Sequence, residues 1–259
     1  MLDDEKAISP VVGMILILAI LAIAISVISS HWFPILRKDA EIKHNERLKD
    51  EFLDIVTVYS MLDRNESKAL SLKLGDDQTS LSHTTTSSTL SVRESGWIEI
   101  NLTYDNSSYS IRYKLFRINL SIHNSFIPDE TLVFSEGGIK IYQGGTNITR
   151  LNPNLQLCFD DASNTLFLGV DNFTDNFQEV SGNGVAFLSL NMNSRHLNFS
   201  NCTGNIRIQD EIFGDEWRDI MSELDSNGVF SFDPSTNTLS INSPMNVSLT
   251  IRDFKVTLS

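Results

Sequence analysis

The hydrophobic pattern opens on a stretch with no polar face. Ile8 to Ile28 reads ISPVVGMILILAILAIAISVI and holds no charged residue. Leu, Ile, Val and Ala fill every side, and only Ser9 and Ser26 interrupt as small polar residues. About 21 residues rising about 1.5 Å each cover roughly 30 Å, the thickness of a bilayer's hydrocarbon core. A core helix in a soluble domain of this size keeps a polar side. The pattern predicts a membrane helix. His31-Trp32-Phe33-Pro34 follows, with Trp32 suited to the membrane interface and Pro34 placed to kink or restart the helix.

From Ile35 to about Asp63 the period is helical again but amphipathic. Ile42, Leu48, Phe52, Ile55, Val56, Tyr59 and Leu62 recur mostly three or four apart, with charges between them, Glu41 included. This is a stalk helix. Its apolar stripe belongs against a globular domain and its charges toward solvent or a neighbour.

Near Lys68 the period changes to two. KALSLKL alternates apolar and polar, and short alternating runs continue to the C-terminus. Gly pairs at 137–138 and 144–145 flank IKIYQ, a hairpin signal. DEIFGDEWRDIMSEL (210–224) breaks the pattern, and its apolar residues share one helical face, with Asp215 placed to cap. The expected fold class is α+β: a long N-terminal membrane and stalk helix, then a mostly antiparallel β-sandwich-like domain with one short helix. The expected organisation is a leader at 1–7, a transmembrane or assembly helix at 8–30, a stalk helix at 31–66 and a β-rich extracellular domain at 67–259.

Charge and composition narrow the function. The net charge of −13 argues against nucleic-acid binding. No histidine pair has metal-ligand spacing, and H-E-x-x-H, C-x-x-C, G-x-S-x-G, a P-loop and G-x-G-x-x-G are all absent. No enzyme activity and no cofactor or metal is expected. DNFTDNF (171–177) offers Asp171, Asn172, Asp175 and Asn176 as a weak surface cation site, against a plain turn. Asn-x-Ser/Thr acceptors for N-glycosylation stand at Asn65, Asn101, Asn106, Asn119, Asn147, Asn172, Asn198, Asn201 and Asn246, all after the apolar stretch. They suit a glycosylated surface protein, or else the polar turns and strand faces of a β protein. Cys158 and Cys202 either pair outside the cell or stay two buried free thiols.

The leader is acidic, MLDDEKA, and no small-residue cleavage site follows the apolar core as it does in a secretory signal. The small-residue junction lies before the core, at Lys6-Ala7-Ile8. KAISPVVGMILILAILAIAISVI resembles the amino terminus of archaeal type IV pilins and pilin-like proteins. The resemblance implies a prepilin peptidase cutting between Ala7 and Ile8, with Lys6 before the cut. Ser9, Pro10, Val11, Val12 and Gly13 form the matched assembly-helix motif. It covers about 25 residues, and the β-rich remainder is only loosely similar to the extracellular parts of such proteins. Val12 stands where bacterial pilins usually carry a Glu, so that residue's assembly role does not transfer.

The resemblance implies a membrane or filament protein whose partners are lipid, other pilin subunits or copies of itself, and the peptidase. The size of the chain favours a minor or pseudopilin-like surface subunit, structural or adhesive, over a bulk pilin. The alternative is a single-pass anchored extracellular binding module that never polymerises. Arg37, Lys38 and Lys43 after the helix outnumber Lys6 before it, so flanking charge alone would place the carboxyl side in the cytoplasm. The leader motif, the sequons and the polar β domain point outward instead.

Overall fold

A computed structural model describes residues 10–62, 66–75, 87–105, 107–225 and 228–259. Helix α1 (Pro10–Ser60) runs 51 residues without a break, Pro34 included. At about 1.5 Å per residue it is about 75 Å long. No structural boundary marks the step from the apolar half to the stalk half. Val12 to Asp39 lies outside the head, whereas Leu48, Phe52, Ile55 and Tyr59 are buried against it. Their three-to-four spacing puts all four on one face. Full burial of one such apolar side chain stabilises by about 1.5–3 kcal/mol.

The head is one twelve-stranded sheet, ordered β6-β5-β4-β3-β2-β10-β12-β8-β7, with β1, β9 and β11 attached at the side. The strands are β1 (Glu66–Lys73), β2 (Ser87–Tyr104), β3 (Ser107–His123), β4 (Glu130–Ser135), β5 (Gly138–Gln143) and β6 (Thr146–Leu151). Then come β7 (Leu157–Asp160), β8 (Thr165–Phe173), β9 (Gln178–Gly182), β10 (Val185–Asp210), β11 (Phe230–Asp233) and β12 (Thr238–Leu258). Every pairing is antiparallel except β8 with β12. The turn between β5 and β6 uses Gly144 and Gly145 at φ of 59° and 82°, a region open to glycine at little cost.

The long strands change neighbours part-way, so one connected sheet encloses more than one hydrophobic cluster. The first half of β10 lies between β1 and β12, and its second half takes β2 as a neighbour. β2 pairs with β9 along its first half and with β10 along its second. The changes coincide with register shifts, between Glu94 and Gly96 in β2 and between Phe199 and Gly204 in β10. Such bulges bend a strand and let it pass from one layer to another. Both crossings need glycine. A Cβ on Gly96 would lie 1.9 Å from the Gln209 carbonyl oxygen, and one on Gly204 would lie 2.0 Å from that of Asn101.

Two cores result. One joins the α1 stripe to Leu90, Phe116, Leu120, Leu188 and Phe254. The other gathers Ile100, Leu166, Leu249, Phe230 and, from α2 (Gly214–Asp225), Trp217 and Met221. The sequence places a helix here, and an acceptor in the turn before it goes unread. Asp210, not Asp215, accepts the N–H groups of Ile212 and Phe213, at 3.0 and 3.2 Å, and Asp215 pairs with Arg218 inside the first turn.

Candidate assembly surface

The free half of α1 is apolar on every side. Ile15, Leu16, Ile17 and Leu18 are consecutive and each is more than half exposed, so no face is covered by the head. Trp32, Phe33, Ile35 and Leu36 continue the exposed apolar surface to Arg37. This is the helix that is long and apolar enough to cross a membrane. Exposed apolar area on this scale marks a surface that another phase or another chain covers.

Where α1 meets the head, polar groups do the positioning. Glu41 is fully buried, and its two carboxylate oxygens accept the Ser125 and Phe126 N–H groups, each at 2.9 Å. It thereby clasps the β3–β4 loop to the helix. The sequence reading placed Glu41 on a solvated face. The periodic stripe in fact extends two turns below Leu48, with Glu41, His44 and Asn45 buried in it. Lys49 pairs with the buried Glu130 at 2.7 Å, and Glu51 accepts the Lys73 N–H at 2.9 Å.

A charged joint closes the upper end. The Tyr59 hydroxyl donates to Asp171 on β8, and Arg252 on β12 reaches Asp171 at 2.6 Å and the Tyr59 oxygen at 2.8 Å. The Tyr59 ring stacks on Phe254 at 5.6 Å and meets Phe134 edge-on at 5.3 Å. Glu136 is buried close by. Burial pushes the Asp171 carboxyl up, against the downward pull of Arg252 and Tyr59. It pushes Glu136 up much further, reinforced by the nearby Asp171 and Asp210. The Tyr59 phenol is raised for the same reason, and all three shifts follow from taking charge out of water.

Beside α1, below this joint, lies a groove of about 550 Å³ between the helix and strands β4 to β6. Leu53, Leu132, Ile141 and Ile148 give it an apolar floor; Glu46, Lys49 and Asp50 edge it on the helix side, and Glu130 and Arg150 line it from the strands, so its rim carries both signs of charge.

The sequence-derived sites fare unevenly. Lys6, Ala7, Ile8, Ser9, Asn65 and Asn106 lie outside the described residues, whereas Pro10 opens α1. Val12 and Gly13 follow in its first turns, with Val12 exposed. Both cysteines are free thiols. Cys158 is exposed, and Cys202 is buried and donates its S–H to the Met245 carbonyl. Asn147, Asn198, Asn201 and Asn246 are exposed. The amides of Asn101 and Asn172 are instead engaged, donating to Asn205 and Asp253 at 3.1 and 2.6 Å. Residues 171–177 do not form a cation site, because Asp171 turns inward to Arg252. Among the described residues no acidic, His or Cys cluster could hold a metal.

Residues 6–41 match the family model described as archaeal type IV pilin, N-terminal. The amino-terminal segment is therefore similar to that of archaeal type IV pilins. The match ends at Glu41, the residue where the helix first touches the head. No curated protein and no solved structure matches the chain. The matched segment and the apolar helix together support a pilin-like, membrane-anchored subunit.

Proposed function

We propose that this chain is a minor, pilin-like surface subunit. A prepilin peptidase removes residues 1–7, cutting between Ala7 and Ile8. The mature helix, opening on Ser9 to Gly13, waits in the bilayer and then exchanges lipid for the helices of neighbouring subunits. The head stands outside the cell, carries N-linked glycans and supplies whatever adhesive contact the filament makes. The observation that carries this reading is the uniform exposure of the apolar half of α1 within a segment of pilin type. A helix covered by lipid first and by other helices later needs no polar face, and small residues such as Gly13, Ala19, Ala22 and Ala24 let neighbours approach.

The test is expression with a matching prepilin peptidase. Mass spectrometry should find the chain starting at Ile8, and shear fractions should contain it in filaments. Cleavage without filaments favours an anchored, non-polymerising module, and an uncleaved chain removes the pilin reading. Glycopeptide mapping should find sugar on Asn147, Asn198, Asn201 or Asn246 before Asn101 or Asn172, whose amides are already hydrogen-bonded.

A further inference from the structure

Between the apolar half of α1 and the head there is almost no spacer. Leu36 closes the apolar run, and Glu41 is already fully buried against the head. Arg37, Lys38, Asp39 and Ala40 alone stand between them, about 6 Å of helix. Glu41 fixes the head at that level, because its two oxygens hold the β3–β4 loop. The tip of that loop is Ser125-Phe126-Ile127-Pro128. Phe126 is 42% exposed, and Pro128 is exposed beside it.

The apolar surface of the helix sets how deep it sits. Ile8 to Leu36 holds no Asp, Glu, Lys or Arg. At about 1.5 Å per residue this run covers roughly 43 Å, and a bilayer with its headgroups is about 40–45 Å thick. Trp32, Phe33, Ile35 and Leu36 are exposed apolar side chains, which draw the end of the run in among the headgroups. Arg37 and Lys38 follow at once. Both are exposed and form no ion pair among the described residues, whereas Lys43 is held by Asp39 at 2.9 Å. Cations directly beside a membrane helix are attracted to anionic lipid. The acid of the loop is engaged within it: Asp129 accepts the Asn124 N–H at 2.8 Å and lies 3.3 Å from the His123 ring.

We infer that the β3–β4 loop tip is a lipid contact. While α1 spans the bilayer, Phe126 and Pro128 sit in the headgroup layer nearest the head, and Arg37 and Lys38 bind its phosphates. The head rests on the membrane instead of standing off it on a stalk. The inference rests on the membrane-anchored reading above and adds the depth of the head. It also gives the basic residues after the apolar run a task on the head's side of the bilayer.

The full chain with Cys158→Ser is reconstituted into vesicles of phosphatidylcholine and phosphatidylglycerol, with a water-soluble nickel chelate on both sides. One nitroxide label is placed at Trp32→Cys, Phe126→Cys or Ile148→Cys; Cys202 is buried and stays unlabelled. Ile148 lines the groove with Leu53, about 18 Å farther along α1 than Glu41. Collisions with nickel should be at least about threefold rarer at 126 than at 148, and rarest at 32. About seven alanines inserted after Lys38 add two turns, roughly 10 Å, and should bring 126 to within about twofold of 148. Arg37→Glu with Lys38→Glu should raise access at 126 at least about twofold. Ser125→Cys keeps the phenyl ring and should read as 126 does. All the labelled side chains are exposed, so an unchanged melting temperature in detergent confirms that the head folds. A label at 126 as accessible as at 148, with 32 shielded, overturns the contact and leaves the anchor standing. A label at 126 that stays shielded after the insertion overturns the depth argument, and no response to charge reversal overturns the role given to Arg37 and Lys38. An unshielded label at 32 overturns the anchor as well.

Discussion

Tyr59→Phe isolates the joint between rod and head. The ring stays, so its stacking on Phe254 and its edge contact with Phe134 are kept. Only the hydroxyl goes, and with it the donor to Asp171 and the acceptor for Arg252. Asp171 is fully buried, so its oxygen cannot turn to water instead. A hydrogen bond to a buried charged group contributes about 1.5–3 kcal/mol. For a head of this size each kcal/mol moves the melting temperature by about 2–4 °C, so a fall of about 3–12 °C is expected. The full chain in detergent is heated while the fluorescence of its tryptophans, including the buried Trp217, is followed. Amide exchange over residues 44–60 should accelerate in the same variant. Arg252→Met alone should cost about 3–5 kcal/mol, because it leaves a buried carboxylate without its cation. Adding Tyr59→Phe to that variant should cost about 0.5–3 kcal/mol less than in the wild type, since the two groups share one network. A melting change below about 1 °C, or two effects that add within about 0.5 kcal/mol, would refute the hydroxyl as the link.

Burial and the neighbouring Asp171 raise Glu136 well above the ordinary carboxylate range, so its protonated form favours the fold. That stability is complete below the unfolded value of about 4.3 for Glu and is lost as pH rises through the raised folded value. Melting temperature should therefore climb as pH falls from 8 toward 5, and Glu136→Gln should flatten the profile; a wild type that loses stability on acidification over this range contradicts the assignment. Glu41→Ala removes the acceptor for two buried N–H groups, and hydrogen exchange should show residues 124–129 losing protection while the second core keeps its own. Gly204→Ala drives a methyl group to 2.0 Å from a backbone oxygen at a φ of 152°, so little folded protein should be recovered; a stable, soluble variant would show that β10 does not need glycine to cross.

The rod and the α+β class were legible because periodicity carries them. An uninterrupted apolar run, then a three-to-four stripe, then alternation leave few other folds. The short helix was legible for the same reason, through Trp217 and Met221. The joint was not. Tyr59, Asp171, Arg252 and Glu136 are far apart in the chain, and each taken alone has an ordinary surface or stripe explanation. Asp171 looked like a turn residue beside a sequon, because nothing local shows that β8 is buried along one side. Glu41 was hidden by its charge: a carboxylate at the head of a stripe reads as solvated unless the loop that needs it is already known. The exchange of neighbours along β2 and β10 was likewise invisible, since Gly96 and Gly204 say that something approaches closely but not what.

The docked half of α1 lies beside the head from Glu41 to Tyr59. A pull on the lower end of the rod therefore does not peel contacts away one after another. It slides the whole docked length at once, so the Glu41 clasp, the Lys49–Glu130 pair, the apolar stripe and the Tyr59 joint share the tension in shear. A subunit built this way withstands drag on its head, because breaking it loose means breaking all of these together.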